Sequence, residues 1–181
     1  MDLARIPAGR APPYDLNVVV EIPQGSQVKY AFDPDSGAMV VDRVLAAPMA
    51  YPAAYGFIPG TLAEDGAPIG VLVLLPAPVV PGCVLRARPI GVLLLEDASG
   101  PDAKIVCVPH DEVHPVYAGV TSAQKLPAIT RNAIEHFFAT DKDLEAEKWV
   151  KVKGWGSAED AASLIRTAIA AGRTGYRTAA E

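Results

Sequence analysis

The chain has 181 residues, half of them hydrophobic and a fifth charged, with a formal net charge of −5. That length and apolar content predict one globular domain over 1–181 rather than a disordered chain. The acidic balance excludes a nucleic-acid surface built from clustered Lys and Arg.

In chain order, residues 1–10 lack an apolar signal core, and no run approaches the ~20 apolar residues that span a bilayer. A cytoplasmic protein with no membrane partner is expected, with 1–14 as an N-terminal extension. Strand signals follow. Residues 16–22 and 28–32 are apolar and β-branched, and the second run leads into Asp33-Pro34-Asp35-Ser36-Gly37, a turn by composition. Residues 38–44 read as the return strand of a hairpin. Residues 71–75, 84–95 and 104–108 continue the pattern, broken by Pro76-Ala77-Pro78 and Pro81-Gly82. Short strands with such punctuation predict a small barrel or sandwich. Cys83 and Cys107 stand alone in these runs and are expected as buried thiols.

His110-Asp111-Glu112-Val113-His114 spaces two histidines as a zinc helix would, but the glutamate is one position late. Pro109 and Pro115 flank the stretch and disfavour a continuous helix, so a loop with two ordinary histidines is expected. Helical spacing begins at Leu126, Ile129, Ala133, Ile134 and Phe137, with Pro127 suited to the first turn. His136, on this apolar helix, is expected to be buried or at an interface. A second helix starts at Ser157 with Asp160 three residues on, and should bury Ala161, Leu164, Ile165, Ala168 and Ile169. Residues 173–181 read as a disordered polar tail.

Residues 51–70 read Tyr-Pro-Ala-Ala-Tyr-Gly-Phe-Ile-Pro-Gly-Thr-Leu-Ala-Glu-Asp-Gly-Ala-Pro-Ile-Gly. The stretch resembles the signature of the soluble (family I) inorganic pyrophosphatases. That family carries Asp-Gly-Asp-Pro-x-Asp where this chain has Asp65-Gly66-Ala67-Pro68-Ile69-Gly70. Further matching blocks run from Ile6-Pro7-Ala8-Gly9 to about Gly172, among them Glu21-Ile22-Pro23, Val41-Asp42-Arg43, Arg88-Pro89-Ile90-Gly91, Asp102-Ala103-Lys104 and Lys148-Trp149-Val150-Lys151-Val152. The resemblance implies an α+β fold: a closed five-stranded OB-like barrel with two main helices from the C-terminal half packed on its side. It also implies Mg²⁺, pyrophosphate or phosphate as ligand, and a homo-oligomer, a hexamer in bacterial relatives.

Hydrolysing pyrophosphate requires screening a highly anionic phosphorus, generating hydroxide at neutral pH and stabilising the leaving phosphate. Converging carboxylates hold the Mg²⁺ that does much of this, while Lys, Arg and Tyr donors hold the phosphates. By the resemblance, Lys29, Arg43, Tyr51, Tyr55, Lys104 and Lys142 stand where the family has phosphate-facing groups. Taken singly, each could equally be a solvated surface charge or an interface tyrosine. Asp65, Asp97 and Asp102 remain as metal-site carboxylates, with Glu21 in support. Ala31 stands where the family has a metal-associated glutamate, Ala67 at the implied general base and Gly70 at a metal-bridging aspartate. Asp141 replaces a phosphate-binding tyrosine. Glu64 and Asp141 are the neighbours from which a substitute carboxylate could come. The leading expectation is a pyrophosphatase-like chain with impaired or absent hydrolysis that still binds small anions in a cleft made more positive by the lost carboxylates. The rivals are a working Mg²⁺-dependent enzyme with rearranged ligands, and a structural subunit that co-assembles with an active paralogue.

Overall fold

The β-branched runs fold as strands whose alternate residues feed two separate cores. In the computed structural model, which describes residues 5–178, the elements are β1 (Gly9–Ala11), β2 (Asp15–Ile22), β3 (Val28–Asp33), β4 (Ala38–Val44), β5 (Ala54–Phe57), β6 (Gly70–Val73), β7 (Val84–Asp97), β8 (Gly100–Pro109), α1 (Ala128–Thr140), β9 (Val150–Gly156) and α2 (Ala158–Thr178). β2 pairs antiparallel with β5, β5 with β6, β6 runs parallel to β8, and β8 pairs antiparallel with β7. β7 then returns to β2, with Leu85 opposite Val18, and closes a five-stranded ring. The closed barrel is as expected. The far half of the 14-residue β7 carries β9, with Leu93 opposite Trp155, while β3 and β4 form a separate hairpin.

Period-two alternation decides which core each side chain joins. Along β6, Val71 and Val73 enter a cluster with Leu16, Val18, Val20 and Ile105, closed by Ala161, Ile165 and Ala168 of α2. Leu72 enters the other cluster with Leu93, Val106 and Val108, closed by Ile134, Phe137 and Phe138 of α1. Two helices therefore pack on opposite products of one alternation. Three strands escaped the sequence reading: β1, β5 and β9. β5 contains Gly56, whose Cβ would lie 1.9 Å from the Val19 carbonyl oxygen, so close pairing with β2 forces the residue that erases the strand signal.

α1 departs from its predicted face. Leu126, Ile134 and Phe137 are buried as expected, but Ile129 is 76% exposed and Ala133 and His136 also face outward. The buried stripe is Ile134, Phe137 and Phe138, at i, i+3 and i+4. α2 begins as predicted: the Ser157 hydroxyl accepts from the Asp160 amide at 3.1 Å, while the Asp160 carboxylate accepts from the Ser157 amide at 2.7 Å. Leu164 and Ile169 are only partly buried against the barrel. α2 continues to Thr178, past the point at which a disordered tail was expected; residues 179–181 lie outside the described part, as do residues 1–4 of the expected N-terminal extension. Cys83 is half-buried and Cys107 buried, both as free thiols. Residues 110–114 form a turn, and the Nδ1 atoms of His110 and His114 accept from the backbone amides of Glu112 and Val116. Among the described residues no helix is long and apolar enough to cross a membrane.

Candidate functional site

Two loops at one end of the barrel frame the site. In the first, between β5 and β6, the buried Thr61 hydroxyl donates to the Ile58 carbonyl and accepts from the Ile69 amide, pinning both ends. Within it Asp65 Oδ1 accepts from the Ala67 amide at 3.0 Å, and Gly66 adopts a φ of +82° that glycine tolerates best. In the second, the β7–β8 hairpin, Asp97 Oδ1 accepts from the Ser99 amide at 2.8 Å. Between these loops lies a cavity of about 390 Å³, lined by Glu64, Asp65, Asp97, Asp102, Lys104 and Lys142. All three expected metal-site aspartates therefore reach one cavity. Two are already engaged: Lys104 holds Asp102 at 2.8 Å, and Lys142 holds Asp97 at 3.2 Å. The Ser99 amide, with Lys142, holds the Asp97 carboxyl below its usual range. Among the described residues, no three His, Cys, Asp or Glu side chains are grouped so as to hold a metal ion.

A second cavity of about 450 Å³ is lined by Glu21, Lys29, Ala31, Phe32, Tyr55, Phe57 and Ala67. Ala31 and Ala67 offer it methyl groups, which neither ligate nor accept a proton. Burial pushes the Glu21 carboxyl above its usual range, against the pull of the Phe32 amide bonded to it at 2.9 Å and of nearby Lys29. Lys29 is paired with Asp42 at 3.0 Å.

Tyr55 and Lys104 fill the space between. A Cβ built on Gly70 would lie 2.6 Å from the Tyr55 hydroxyl oxygen, 3.3 Å from its Cζ and 3.4 Å from Lys104 Cδ. Side-chain volume at position 70 is thus taken by the Tyr55 hydroxyl, with the Lys104 stem in ordinary contact beside it. Burial raises the Tyr55 phenol well above its ordinary range, so it stays protonated at neutral pH. Burial pulls the Lys104 ammonium down, but the Asp102 carboxylate and a hydrogen bond to the neutral Tyr55 phenol outweigh it and keep the ammonium charged. Tyr51 packs 5.9 Å from the Tyr55 ring and 4.6 Å from Phe137, and burial raises its phenol also.

Arg43 and Tyr51 are not among the residues lining either cavity. Arg43 faces Glu145 at 3.3 Å, and its Nε is buried without a hydrogen-bond partner. Asp141 is 6% exposed, and its Oδ1 is also unpartnered. Burial pushes its carboxyl up despite opposing pulls from Lys142 and Arg43. Lys29, Arg43, Lys104 and Lys142 each face a carboxylate: Asp42, Glu145, Asp102 and Asp97. Asp42 was visible beside Arg43 in sequence, whereas Glu145 gave no signal, lying far along the chain from Arg43. Gly70 is an ordinary strand residue on β6, and what meets a side chain there is the Tyr55 hydroxyl.

Comparison with known proteins agrees with the barrel and its loops. A model of the inorganic pyrophosphatase family matches residues 18–173. The chain is 62% identical over 173 residues to an inorganic pyrophosphatase of Gluconobacter oxydans, covering 96% of this chain and all of that one. It is 54% identical over 170 residues to that of Caulobacter vibrioides, covering 93% and 96% of the two chains. The crystal structure of the inorganic pyrophosphatase from Thermus thermophilus superposes with a TM-score of 0.92 at 42% identity, over 96% of this chain and 99% of that one. Near-complete coverage in both sequence and fold leaves one assignment: the chain belongs to the soluble (family I) inorganic pyrophosphatases.

Proposed function

We propose that this chain is a pyrophosphatase-fold protein whose hydrolysis is absent or strongly impaired, and whose cleft still takes up phosphate or pyrophosphate weakly. The observation that carries the reading is the packing at Gly70. In the family pattern that position supplies a metal-bridging carboxylate; here the Tyr55 hydroxyl stands in its place, and Lys104 pairs with Asp102. Mg²⁺ in this family activates water and neutralises phosphate charge. The residues present do not fit that full set, since Asp97 and Asp102 are tied to lysines and positions 31, 67 and 70 offer no oxygen. No hydrolytic step is therefore assigned. A positioned general base is worth about 10²–10⁴ in rate, and loss of groups supporting a metal costs about 10–100-fold more. Glu64 stands at the mouth of the aspartate cavity and Asp141 is held among Arg43 and Lys142, so neither replaces Ala67 directly.

In this reading Lys29, Arg43, Tyr51, Tyr55, Lys104 and Lys142 are the remaining phosphate-facing groups, Asp65, Asp97 and Asp102 the remnant of the metal site, and Glu21 its support. An incoming anion must displace Asp42, Glu145, Asp102 or Asp97 from these cations, which makes affinity weak and salt-sensitive. The protein is proposed to be cytoplasmic and a homo-oligomer, a hexamer by family resemblance. The test is the steady-state release of phosphate from pyrophosphate by the purified protein with Mg²⁺ or Mn²⁺. The expected rate is at least a thousandfold below that of the Gluconobacter oxydans relative measured alongside, an estimate of about 10³ from the missing base alone. Rates within tenfold of that relative overturn the reading in favour of a working enzyme with rearranged ligands.

A further inference from the structure

Beside the aspartate cavity, between α2 and the β7–β8 hairpin, lies a cavity of about 500 Å³ that shares Asp65 and Asp102 with it but is separate from the proposed phosphate-facing groups. Its walls are apolar: Leu62, Ile69, Leu94, Leu95, Leu164 and Ala168. Leu94 is 38% exposed although it is a large apolar side chain on a strand, because it faces this opening rather than a core. The mouth is acidic, formed by Glu64, Asp65, Glu96 and Asp102 with Lys153 as its one cation. Lys153 is paired with Glu96 at 2.8 Å, and Asp102 is held by Lys104. Among the described residues Glu64 and Asp65 have no cationic partner within ion-pair distance. The mouth therefore carries two carboxylates that no described cation pairs with.

We propose that this cavity binds a small amphipathic monocation, an alkyl- or arylalkyl-ammonium, with its apolar body against Leu94, Leu95 and Leu164 and its ammonium between Glu64 and Asp65. Volume, lining and charge each narrow the ligand. About 300–1,000 Å³ with mostly apolar walls and a few converging polar groups is the usual form of a small-molecule site. An inorganic anion has no use for the leucines and is repelled at the mouth. A neutral amphiphile gains the floor but leaves Glu64 and Asp65 as they were. Only a cation with an apolar tail satisfies both, and its three N–H donors suit carboxylates from two neighbouring residues. Glu64 and Asp65 also line the aspartate cavity, so the ammonium would sit at the junction of the two.

Calorimetric titration with hexylammonium, butylammonium, hexan-1-ol and hexanoate tests this on the intact protein. Hexylammonium is expected to bind saturably at one site per chain, and more tightly than butylammonium by about three- to fourfold per added methylene. Hexan-1-ol should bind at least fivefold more weakly, and hexanoate not at all. The variant E64Q/D65N should weaken hexylammonium about five- to tenfold, because two surface charge pairs are lost. Asn at 65 keeps the Oδ1 that accepts the Ala67 amide, so the loop retains its shape. A second variant, L94N, alters the exposed floor without touching a core and should weaken hexylammonium while leaving the acidic mouth intact. Non-saturable heats, equal affinity for hexan-1-ol, or hexylammonium binding unchanged in both E64Q/D65N and L94N would each overturn the proposal.

Discussion

Gly70 and Tyr55 set the chemistry of the cleft through sterics as much as through missing carboxylates. A side chain at 70 meets the Tyr55 hydroxyl at 2.6 Å, and that ring is held by Lys104 and by Tyr51. Gly70→Asp is therefore expected to destabilise the protein by about 1–3 kcal/mol, the usual range for overpacking. Urea unfolding measures it, and adding Tyr55→Phe should recover part of the loss by removing the clashing oxygen. A neutral Gly70→Asp would show that the site accommodates its lost carboxylate freely. Asp141 gives a second test, in pH. Its folded pKa is raised by burial above the ~3.9 of an unfolded aspartate. Between those two values the native state holds more protons, so stability falls as pH rises through the window and the penalty persists above it. Asp141→Asn should be more stable than the parent at neutral pH, with the gain shrinking as pH falls from the folded towards the unfolded value and gone below it. Thermal melts at pH 7 and pH 3 check this; a parent more stable than the variant at pH 7 contradicts it.

At the level of elements, what could be read from sequence depended on whether local pattern and tertiary demand agreed. β2, β4 and β7 combine β-branched residues with clear turn signals, and the Ser157–Asp160 pair marks the start of α2. That cap is expected to matter: Ser157→Ala should cost about 1 kcal/mol in chemical denaturation, and no loss would mean that α2 is held by packing alone. β5 was hidden by Gly56, which β2 requires to be small, and β9 by a lysine-rich outer face. The outward turn of Ile129 and Ala133 was illegible for another reason: apolar residues line more of α1 than the barrel covers, and only the folded chain selects Ile134, Phe137 and Phe138. The candidate site divides the same way. Its aspartates and lysines could be named only from the family resemblance, and the ion pairs between them depend on loops brought together across the chain, as Arg43 and Glu145 are.

For the whole molecule, a chain of net charge −5 presents a cleft whose cations are internally paired, so the proposed anion binding would be a competition with carboxylates. Glu145→Gln releases Arg43 and should raise pyrophosphate affinity severalfold, whereas Arg43→Ala should lower it more than Lys29→Ala, because a two-pronged donor is lost. Calorimetry at low and high salt reads both effects; an unchanged affinity in Arg43→Ala would place the anion elsewhere. The central claim is that this member of the family keeps the pyrophosphatase frame without its turnover. The most direct measurement is a ³¹P NMR time course with protein in excess over pyrophosphate and Mg²⁺ present. A pyrophosphate resonance that shifts or broadens on mixing, then persists for hours without a growing phosphate signal, is the predicted result. Complete conversion to phosphate within the first spectrum would contradict it.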